Sequence, residues 1–471
     1  MTTHTLVASQ LIARPLDEVF PFFARAQSLE RITPPSMAMQ LRSTDVEMRA
    51  GLEVDYELRG LPILRSTWRS RIESYDPPNG YVDIQVRGPY RRWRHAHSFT
   101  AVEGGTRVDD RVEYEMPLGP LGALAHRLLV RSQLESIFSH RMRVIESVFE
   151  PAGVAPAGVD ALTVAVAGGT GFVGGGILRE LRRRGHRVIA LSTQGEAARG
   201  LLPDDVEIRT ADAALGDGLP EGLAGVDALV IALAFRNSPM ESPRTGQTFE
   251  AVDAIGTEHL VAAARGQGVK SVVYISGAGA ARDARRHWFR AKWRAEEAVR
   301  ASGMRWTILR PTWIYGPGDV SLNRFIGFAR RLPFVPMTNM GRQKLAPVFI
   351  DDIAAAVADL LVGPAGADAT FEVGGPEVLE MREIIRRAIS HAGLRRPIVP
   401  GPTPLLKLAA FPLKFLAQPP LTPDGVDFVN QPAVVDTAPL RAALGRDLRT
   451  LDEGLSTYVG RFPGTATVVF D

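Results

Sequence analysis

A short apolar run that ends in a glycine-rich turn most constrains what this chain can fold into. Residues 161–167 are mainly Ala, Val and Leu, glycines follow at positions 168, 171 and 174, and a helical pattern then runs from 177 to 184. Strand, tight turn and helix in this order place a helix N-terminus where a pyrophosphate binds in a doubly wound α/β fold. The residues predicted to contact a dinucleotide there are Gly168, Thr170, Gly171, Phe172, Val173 and Gly174.

The composition narrows the class of protein. At 471 residues the chain exceeds one ordinary domain, so two or three are expected. The net charge is only +3, and we expect no nucleic-acid partner. The absence of cysteine excludes disulfides, thiolate nucleophiles and cysteine-ligated metals. The N-terminal residues lack the basic-then-apolar layout of a signal peptide, and we predict a cytoplasmic protein.

Residues 1–150 predict an antiparallel sheet packed on one long helix, an α+β arrangement that can enclose an apolar cavity. Alternating apolar patterns bounded by turn residues predict strands over 6–12, 52–58, 65–75, 81–87, 93–102 and 106–116. The helix that follows carries a core-facing stripe formed by Leu134, Phe138, Met142, Ile145 and Phe149.

This first part resembles the helix-grip family of ligand-binding domains, the START and polyketide cyclase group. The stretches that carry the resemblance are 32–35, 82–99 and 109–117. The resemblance implies a hydrophobic pocket without fixing a reaction. We therefore expect a hydrophobic small-molecule ligand for residues 1–150.

Two histidines in this part are candidate metal ligands. His95 and His97 are two residues apart on one predicted strand, so their side chains share a face. Such a pair can bind a metal or move protons. No carboxylate stands at a recognisable ligand spacing, however, and we predict no metal site.

Residues 161–463 predict a second domain, joined to the first by a Pro/Ala/Gly-rich linker over 151–160. Short apolar strands are predicted over 164–167, 187–191, 206–210, 228–233, 271–275 and 306–309. Helical patterns such as 257–267 and 293–302 separate them. This alternation predicts a doubly wound parallel sheet.

The second part resembles the extended and atypical branches of the short-chain dehydrogenase/reductase superfamily, followed by that family's C-terminal substrate subdomain. The resemblance rests on the glycine turn and on residues 226–234, 252–257, 268–276, 309–319 and 348–353. It implies that Asp212 contacts adenine and that Ala232 and Ala234 line the cofactor cleft. It also implies that Pro311 and Thr312 flank the nicotinamide.

The end of the second strand bears on the choice of cofactor. An NAD-dependent enzyme usually has an acidic residue there, which binds the ribose hydroxyls. This chain has Ser192 and Thr193 instead, which can donate hydrogen bonds to a 2′-phosphate. We predict a preference for NADP(H), with NAD(H) left open.

The superfamily's acid–base element, Tyr-x-x-x-Lys on one helical face, is incomplete in this chain. Lys292 is present, but Trp288 stands at the tyrosine position. An indole N–H can donate a hydrogen bond but cannot act as a general acid at neutral pH. Ser276 is the hydroxyl nearest to the family's catalytic serine, since Gly277 and Ala278 follow it. Lys292 and Ser276 are the predicted catalytic residues, and the resemblance also implies that Lys292 holds the nicotinamide ribose of the cofactor.

Three functions remain open at this point. The first is an atypical NAD(P)-dependent oxidoreductase in which Lys292 does the proton work, acting on a lipophilic carbonyl, enone or quinone-like substrate. The second is a non-catalytic NADP(H)-binding assembly or carrier protein, similar to the nucleotide-binding accessory subunit of respiratory complex I. The third is a nucleotide-sugar epimerase, which the missing tyrosine disfavours; Tyr315 is interpreted as structural.

An apolar segment over 403–417 carries two lysines and the helix-breaking Pro412. Such a segment can make a peripheral membrane contact or line a lipophilic substrate site. A buried helix pair broken at Pro412 is the alternative.

Overall fold

The computed structural model describes residues 3–33, 39–43, 47–61, 64–117, 119, 122, 126, 130–155, 160–235, 238–411, 422–459 and 467–470. The chain folds into two compact units, one of residues 1–150 with 461–471 and one of residues 151–460. Part of the predicted linker, residues 156–159, lies outside the described residues. No helix among the described residues is long and apolar enough to cross a membrane.

The first unit is an antiparallel sheet with a long helix, as the alternating pattern predicted. Its strands are β1 (Thr3–Ile12), β2 (Gln40–Leu41), β3 (Glu53–Leu61), β4 (Leu64–Asp76), β5 (Gly80–Arg87), β6 (Arg92–Val102) and β7 (Gly105–Glu115). They are ordered β2-β3-β4-β5-β6-β7-β1, and the C-terminal strand Thr467–Phe470 pairs with β1 at the end of the sheet. The helices are Leu16–Phe23, Gln27–Ile32 and Arg131–Phe149.

The core of this unit lies between the sheet and the helix Arg131–Phe149. Four of the five stripe residues, Leu134, Phe138, Met142 and Ile145, are buried, and Phe149 is half-buried. The strand β6 alternates in the same way, because Trp93, His95, His97 and Phe99 are buried and the intervening residues are more exposed. The period of two along β6 therefore assigns both histidines to the core face.

The second unit is built on a seven-stranded parallel sheet. Its strands, with six short ones in small two-stranded sheets, are β8 (Thr163–Ala167), β9 (Arg187–Ser192), β10 (Glu207–Thr210), β11 (Ala228–Ile231), β12 (Ser271–Ile275), β13 (Arg305–Pro311), β14 (Ile314–Tyr315), β15 (Val335–Thr338), β16 (Lys344–Leu345), β17 (Val348–Phe349), β18 (Ala369–Val373), β19 (Leu379–Glu380) and β20 (Ile398–Gly401). The main sheet has the order β10-β9-β8-β11-β12-β13-β18. The strand order changes direction at β8. In a doubly wound sheet the ligand binds in the crevice at this point.

Helices separate most of these strands. They are Phe172–Arg183, Leu219–Gly222, Gly256–Gly266, His287–Arg300, Val320–Arg331, Ile350–Val362, Met381–His391, Thr403–Ala410, Pro423–Val429, Ala438–Leu444 and Leu451–Tyr458. A π-helical turn, Phe249–Ile255, leads directly into Gly256–Gly266. The inner strands β8, β9, β11 and β12 are almost fully buried between these helices, since both of their faces are apolar, whereas the edge strands β10 and β18 are only partly buried. The predicted fold class is confirmed in both units.

Candidate functional site

The glycine turn after β8 forms a close-packed cradle. Gly168 adopts φ +86°, and a Cβ there would lie 2.9 Å from the carbonyl carbon of Ala232 and closer to its oxygen. A Cβ at Gly174 would lie 2.6 Å from the carbonyl carbon of Gly168. The Gly171 N–H donates to the Gly168 carbonyl at 2.9 Å. Only glycine fits at positions 168 and 174, so the backbone can approach a ligand as closely as a pyrophosphate requires.

The helix Phe172–Arg183 begins at this turn and leaves its first N–H groups available. Gly171 is the N-cap residue, and no side chain caps the helix. Phe172 and Val173 lie in the first turn and pack, half-buried, against the core of the C-terminal part of the unit. Thr170 is half-buried in the turn itself. An uncapped helix N-terminus with small residues in front of it fits the phosphates of a dinucleotide.

The end of β9 carries the two hydroxyl residues assigned to the ribose. Ser192 is buried, and its Oγ accepts a hydrogen bond from the backbone N–H of Gln194 at 3.1 Å, which leaves its own proton free to be donated. Thr193 is exposed. Arg199, the next arginine after these residues in the sequence, donates to the Val206 carbonyl at 2.7 Å and forms an ion pair with Glu196.

Asp212 follows β10 and stabilises the turn in which it lies. Its carboxylate accepts a hydrogen bond from the Leu215 N–H at 3.1 Å. Ala232, directly after β11, is buried beside Gly168, whereas Ala234 is exposed. Pro311 and Thr312 lie at the end of β13, where the Thr312 N–H donates to Val373 at 2.9 Å. The strand ends of the sheet thus bring the predicted cofactor residues to one edge.

Lys292 lies on the helix His287–Arg300 and is held in place by an ion pair. Its Nζ contacts a carboxylate oxygen of Asp253 and donates to the carbonyl of Ile275 at 3.3 Å. Lys292 is 15% exposed and Asp253 only 3% exposed. Burial raises the pKa of Asp253, and the charge of Lys292 opposes that rise. The Nζ also lies 5.4 Å from the centre of the Tyr274 ring.

Asp253 was not among the predicted site residues. It lies in the π-helical turn Phe249–Ile255 and is buried. Its signal in the sequence was available, because it falls within the motif stretch 252–257 and is an acid among apolar neighbours. A buried acid normally has a partner, and here the partner is Lys292.

Ser276 is tied to a buried ion-pair network. Its Oγ donates to Glu296 at 2.6 Å. Glu296 is fully buried and also accepts two hydrogen bonds from Arg310, at 2.8 and 2.7 Å, and one from Arg300 at 2.8 Å. Ser276 directly follows Ile275, whose carbonyl accepts a hydrogen bond from Lys292, so both predicted catalytic residues lie at the same end of β12. The hydroxyl of Ser276, however, donates to Glu296.

Trp288 fills the tyrosine position with a buried indole. It packs with Phe235 and Phe249 in one apolar cluster, and its ring lies 5.5 Å from that of Phe428. Its Nε1 has no hydrogen-bond partner among the described residues. Tyr315, the other candidate for an acid, is fully buried and donates to the Thr450 carbonyl at 3.2 Å, and burial raises its pKa far above the ordinary value.

A second polar cluster lies in the core of the first unit. Its members are Asp83, His95, His97, Asp110 and Arg141. Burial lowers the pKa of His95 to about 4. For His97 burial acts in the same direction, but hydrogen bonds to Asp110 and Asp83 outweigh it and raise the pKa. Burial opposes ionisation of Asp110, yet Arg141 and the histidines hold its pKa well below the ordinary value.

Sequence reasoning identified only the two histidines of this cluster. The carboxylates come from neighbouring strands, where Asp83 is the register partner of His95 and Asp110 is that of His97. A signal did exist for Asp110, because it occupies the buried phase of β7 between Val108 and Val112. An acid in a core-facing phase requires a buried partner.

Two family models match the chain. A model described as NAD(P)H-binding matches residues 168–355. A model described as polyketide cyclase / dehydrase and lipid transport matches residues 3–150. Both resemblances inferred from the motifs are confirmed.

Curated relatives match the second unit. The chain is 27% identical over 271 residues to NADH dehydrogenase [ubiquinone] 1 alpha subcomplex subunit 9 of Arabidopsis thaliana, covering 55% of this chain and 65% of that protein. It is 30% identical over 258 residues to divinyl chlorophyllide a 8-vinyl-reductase of Zea mays, covering 49% and 60%. It is 26% identical over 261 residues to 2-alkyl-3-oxoalkanoate reductase of Stenotrophomonas maltophilia, covering 50% and 77%. The chain thus spans less than two thirds of the first two relatives.

Solved structures with the same fold include a nucleotide-sugar enzyme. UDP-glucose 4-epimerase of Thermus thermophilus, determined in complex with NAD, superimposes with a TM-score of 0.51 at 21% identity. The match covers 64% of this chain and 100% of that chain. At this identity the likeness concerns the fold.

Proposed function

We propose that this chain, an NAD(P)-binding oxidoreductase-type Rossmann domain joined to a polyketide cyclase-like domain, reduces a lipophilic carbonyl, enone or quinone-like substrate. The observation that carries the proposal is the buried pair of Lys292 and Asp253 at the end of β12. This pair supplies a fixed cation at the position where the family uses Tyr and Lys together.

The cofactor is held by the glycine cradle and by the ends of the strands. Gly168, Gly171 and Gly174, together with the uncapped start of Phe172–Arg183, suit the pyrophosphate. Ser192 and Thr193, with no acid at the end of β9, favour NADP(H) over NAD(H). Replacing Ser192 by Asp should weaken NADPH binding more than NADH binding, because an added carboxylate repels a 2′-phosphate. Equal weakening of both would contradict the preference.

Lys292 is proposed to stabilise negative charge on the substrate. When bound, the nicotinamide supplies a hydride. The lysine ammonium, fixed by Asp253 and the Ile275 carbonyl, stabilises an oxyanion formed at a carbonyl or enone and donates a proton to it. Hydride addition to an enone or quinone gives an enolate or phenolate, which is a weaker base than the alkoxide formed from a simple ketone, so the ammonium can protonate it without a tyrosine. Conjugated acceptors are therefore the substrates that this arrangement favours most.

The lipophilic character of the substrate is inferred from the aromatic wall beside Lys292. Phe249 and Trp288 are its buried part, and Phe428, which is 39% exposed, is its accessible edge. The names of two relatives point the same way, since one reduces a chlorophyllide vinyl group and the other a 2-alkyl-3-oxoalkanoate. An accessible aromatic edge of this kind can contact the apolar part of a substrate.

The alternative function is NADP(H) binding without turnover, for assembly or transport. It is favoured by the hydrogen bond of Ser276 to Glu296 and by the buried indole of Trp288, whose N–H meets no acceptor in the described part of the chain, because few groups there are free for proton transfer. The mitochondrial relative is named as a subunit of NADH dehydrogenase. An epimerase is disfavoured, because Tyr315 is buried and hydrogen-bonded to backbone.

One experiment separates these functions. The purified chain is supplied with NADPH and a panel of quinones, enones and alkyl ketones, and NADPH oxidation is followed at 340 nm. Turnover that falls at least tenfold in Lys292→Ala, with NADPH still bound, supports the reductase. Tight NADPH binding with no turnover on any member, in the wild type and in Trp288→Tyr alike, supports the carrier function and contradicts the reductase.

Asp253→Asn provides a matched control for the role of the ion pair. It preserves the shape of Asp253 but removes the charge that holds the ammonium. The reductase mechanism predicts a lower kcat with little change in the Kd for NADPH, since the charge acts on the reacting atoms. An unchanged kcat would remove Asp253 from the mechanism.

A peripheral membrane contact through 403–417 is proposed as well. In the helix Thr403–Ala410, Leu405 is 63% exposed and Leu408 is 71% exposed, and Phe411 after it is 52% exposed. The exposure of these side chains favours a membrane contact over a buried helix pair, while Pro412 and residues 413–417 lie outside the described residues. Leu405→Ser with Leu408→Ser should lower sedimentation with phosphatidylglycerol vesicles roughly tenfold or more.

The control for this experiment is Val320→Ser, which changes a residue that is 67% exposed on another helix. It should sediment like the wild type. Wild-type protein that stays in the supernatant at low ionic strength contradicts the membrane contact.

The first unit is proposed to bind a hydrophobic ligand. Its core contains an aromatic group of Trp68, Tyr90, Trp93 and Tyr114, with ring centres 4.8–6.0 Å apart along the group. An apolar fluorescent probe such as anilinonaphthalene sulfonate should bind the native chain stoichiometrically and be displaced by the preferred substrate of the panel. Failure of every panel member to displace it would contradict a shared ligand.

A further inference from the structure

The polar cluster in the first unit is built from five side chains on three strands and a helix. Asp83 comes from β5, His95 and His97 from β6, Asp110 from β7 and Arg141 from Arg131–Phe149. Both histidines, Asp110 and Arg141 are 5–6% exposed. So many ionisable groups in one core are costly to desolvate, and they need a compensating arrangement.

One side of each imidazole faces Asp83. The Oδ2 of Asp83 lies 3.0 Å from Nε2 of His97 and 3.8 Å from Nδ1 of His95. One ligand atom from each of the three residues lies within 4.8 Å of the other two. Two imidazole nitrogens and one carboxylate oxygen that converge in this way can ligate a single ion.

The opposite side of each imidazole faces Asp110. Its Oδ1 lies 3.0 Å from Nε2 of His95 and 2.7 Å from Nδ1 of His97. Arg141 donates to the same oxygen at 3.1 Å, and its Nη2 also lies 3.3 Å from Nδ1 of His97. If each ring donates its N–H to Asp110, the lone pairs of the other nitrogens point towards Asp83. A carboxylate that accepts the outer N–H of a ligating histidine is the usual support of a metal site, because it fixes tautomer and ring orientation.

We propose that Asp83, His95 and His97 bind a divalent first-row transition-metal ion in the first unit, with Asp110 and Arg141 as positioning residues. Two imidazoles and one carboxylate suit Zn²⁺, Fe²⁺, Co²⁺ or Mn²⁺ and leave coordination positions open. Asp83 is the most exposed of the three ligands, at 16% of its side chain.

The charge of the site indicates what an open position accepts. Two carboxylates, one guanidinium and a divalent ion leave one positive charge in a largely apolar core. An anionic oxygen donor, such as hydroxide or the enolate of a carbonyl ligand, neutralises it. Tyr81, stacked on His97 at 4.1 Å, and Phe138, 5.8 Å from His95, give the site apolar walls that suit the carbon skeleton of such a ligand.

The test uses the full chain, stripped of metal by a chelator and titrated calorimetrically with Zn²⁺. One equivalent should bind. Asp83→Asn and His97→Ala should each weaken binding at least about 100-fold, and Asp110→Asn about 10- to 100-fold. Co²⁺ should give visible absorption bands of a four- or five-coordinate ion, and Mg²⁺ at millimolar concentration should not compete, because it prefers oxygen ligands.

The controls exclude other histidines and misfolding. His4 and His126 are another adjacent pair of histidines in this unit, stacked with ring centres 3.6 Å apart, so His4→Ala should leave Zn²⁺ binding unchanged. Each variant should keep the far-ultraviolet circular dichroism of the wild type. A wild-type chain that takes up no Zn²⁺, or one whose binding survives Asp83→Asn but is lost in His4→Ala, overturns the proposal.

Discussion

Replacing Gly174 by alanine tests whether close backbone packing holds the phosphate cradle. A Cβ at Gly174 would lie 2.6 Å from the carbonyl carbon of Gly168 and 3.0 Å from the Gly169 nitrogen. Gly175, its neighbour in Phe172–Arg183, is a matched control, because a Cβ there meets the Gly169 carbonyl oxygen at 3.3 Å and then only the flexible Arg179 side chain. Both variants gain the same helix propensity, about 0.8–1.0 kcal/mol.

The two variants should therefore differ by the cost of the clash. Overpacking costs about 1–3 kcal/mol, so Gly174→Ala should be destabilised or unchanged overall, while Gly175→Ala should be unchanged or up to about 1 kcal/mol more stable. Relief of the clash moves the Gly168 carbonyl, and NADPH affinity in Gly174→Ala should fall about tenfold or more, which is about 1.4 kcal/mol.

Two measurements decide the outcome. Differential scanning calorimetry gives the transition of the second unit, and titration of NADPH fluorescence gives the Kd. Gly175→Ala should bind NADPH within about twofold of the wild type. If Gly174→Ala equals Gly175→Ala in both stability and affinity, the close approach of Gly168 and Gly174 does not shape the cofactor site, and that reasoning is refuted.

Three further predictions concern stability. Glu296→Ala removes the buried bidentate partner of Arg310 and should lower the free energy of unfolding by about 3–5 kcal/mol in calorimetry. The control Glu297→Ala changes a half-exposed residue and should cost less than about 1 kcal/mol. Equal losses would contradict a stabilising role for the buried ion pair. Thr450→Ala removes the capping box of Leu451–Tyr458 and should cost about 1 kcal/mol in denaturant unfolding. Burial lowers the pKa of His140 from 6.5 to about 4, so the unfolded chain binds the proton at a higher pH than the folded chain does. The free energy of unfolding should therefore fall by up to about 3 kcal/mol as the pH drops from 6.5 towards 4. His140→Gln should make this pH dependence weaker.

The fold could be predicted because local sequence patterns specify its strands, helices and glycine turn. The apolar runs of the parallel sheet and the glycine turn are continuous in sequence, and their strands appear within a few residues of the predicted bounds. The helix that carries Lys292 begins at His287, six residues before the predicted 293, because His, Trp and Phe interrupt the polar face there without breaking the helix. Local ambiguities of this kind displace the predicted ends of helices by a few residues.

The partners of the site residues were less predictable, because they depend on register. Asp253 meets Lys292 across 39 positions of sequence, and Asp83 and Asp110 reach the histidines only through the pairing of β5, β6 and β7. A core-facing acid in a strand signals that a partner exists but does not identify it. The C-terminal strand beside β1 was likewise unpredictable, since strand pairing between distant segments leaves no local mark.

Deuterium transfer from NADPH labelled at nicotinamide C4 tests the central claim most directly. The chain is incubated with the labelled cofactor and each lipophilic enone, quinone or ketone of the panel, and the products are analysed by mass spectrometry. We predict deuterium in the product of at least one acceptor, with the amount reduced at least tenfold in Lys292→Ala. A chain that binds NADPH but transfers no deuterium to any acceptor, or transfers it equally well without Lys292, contradicts the account.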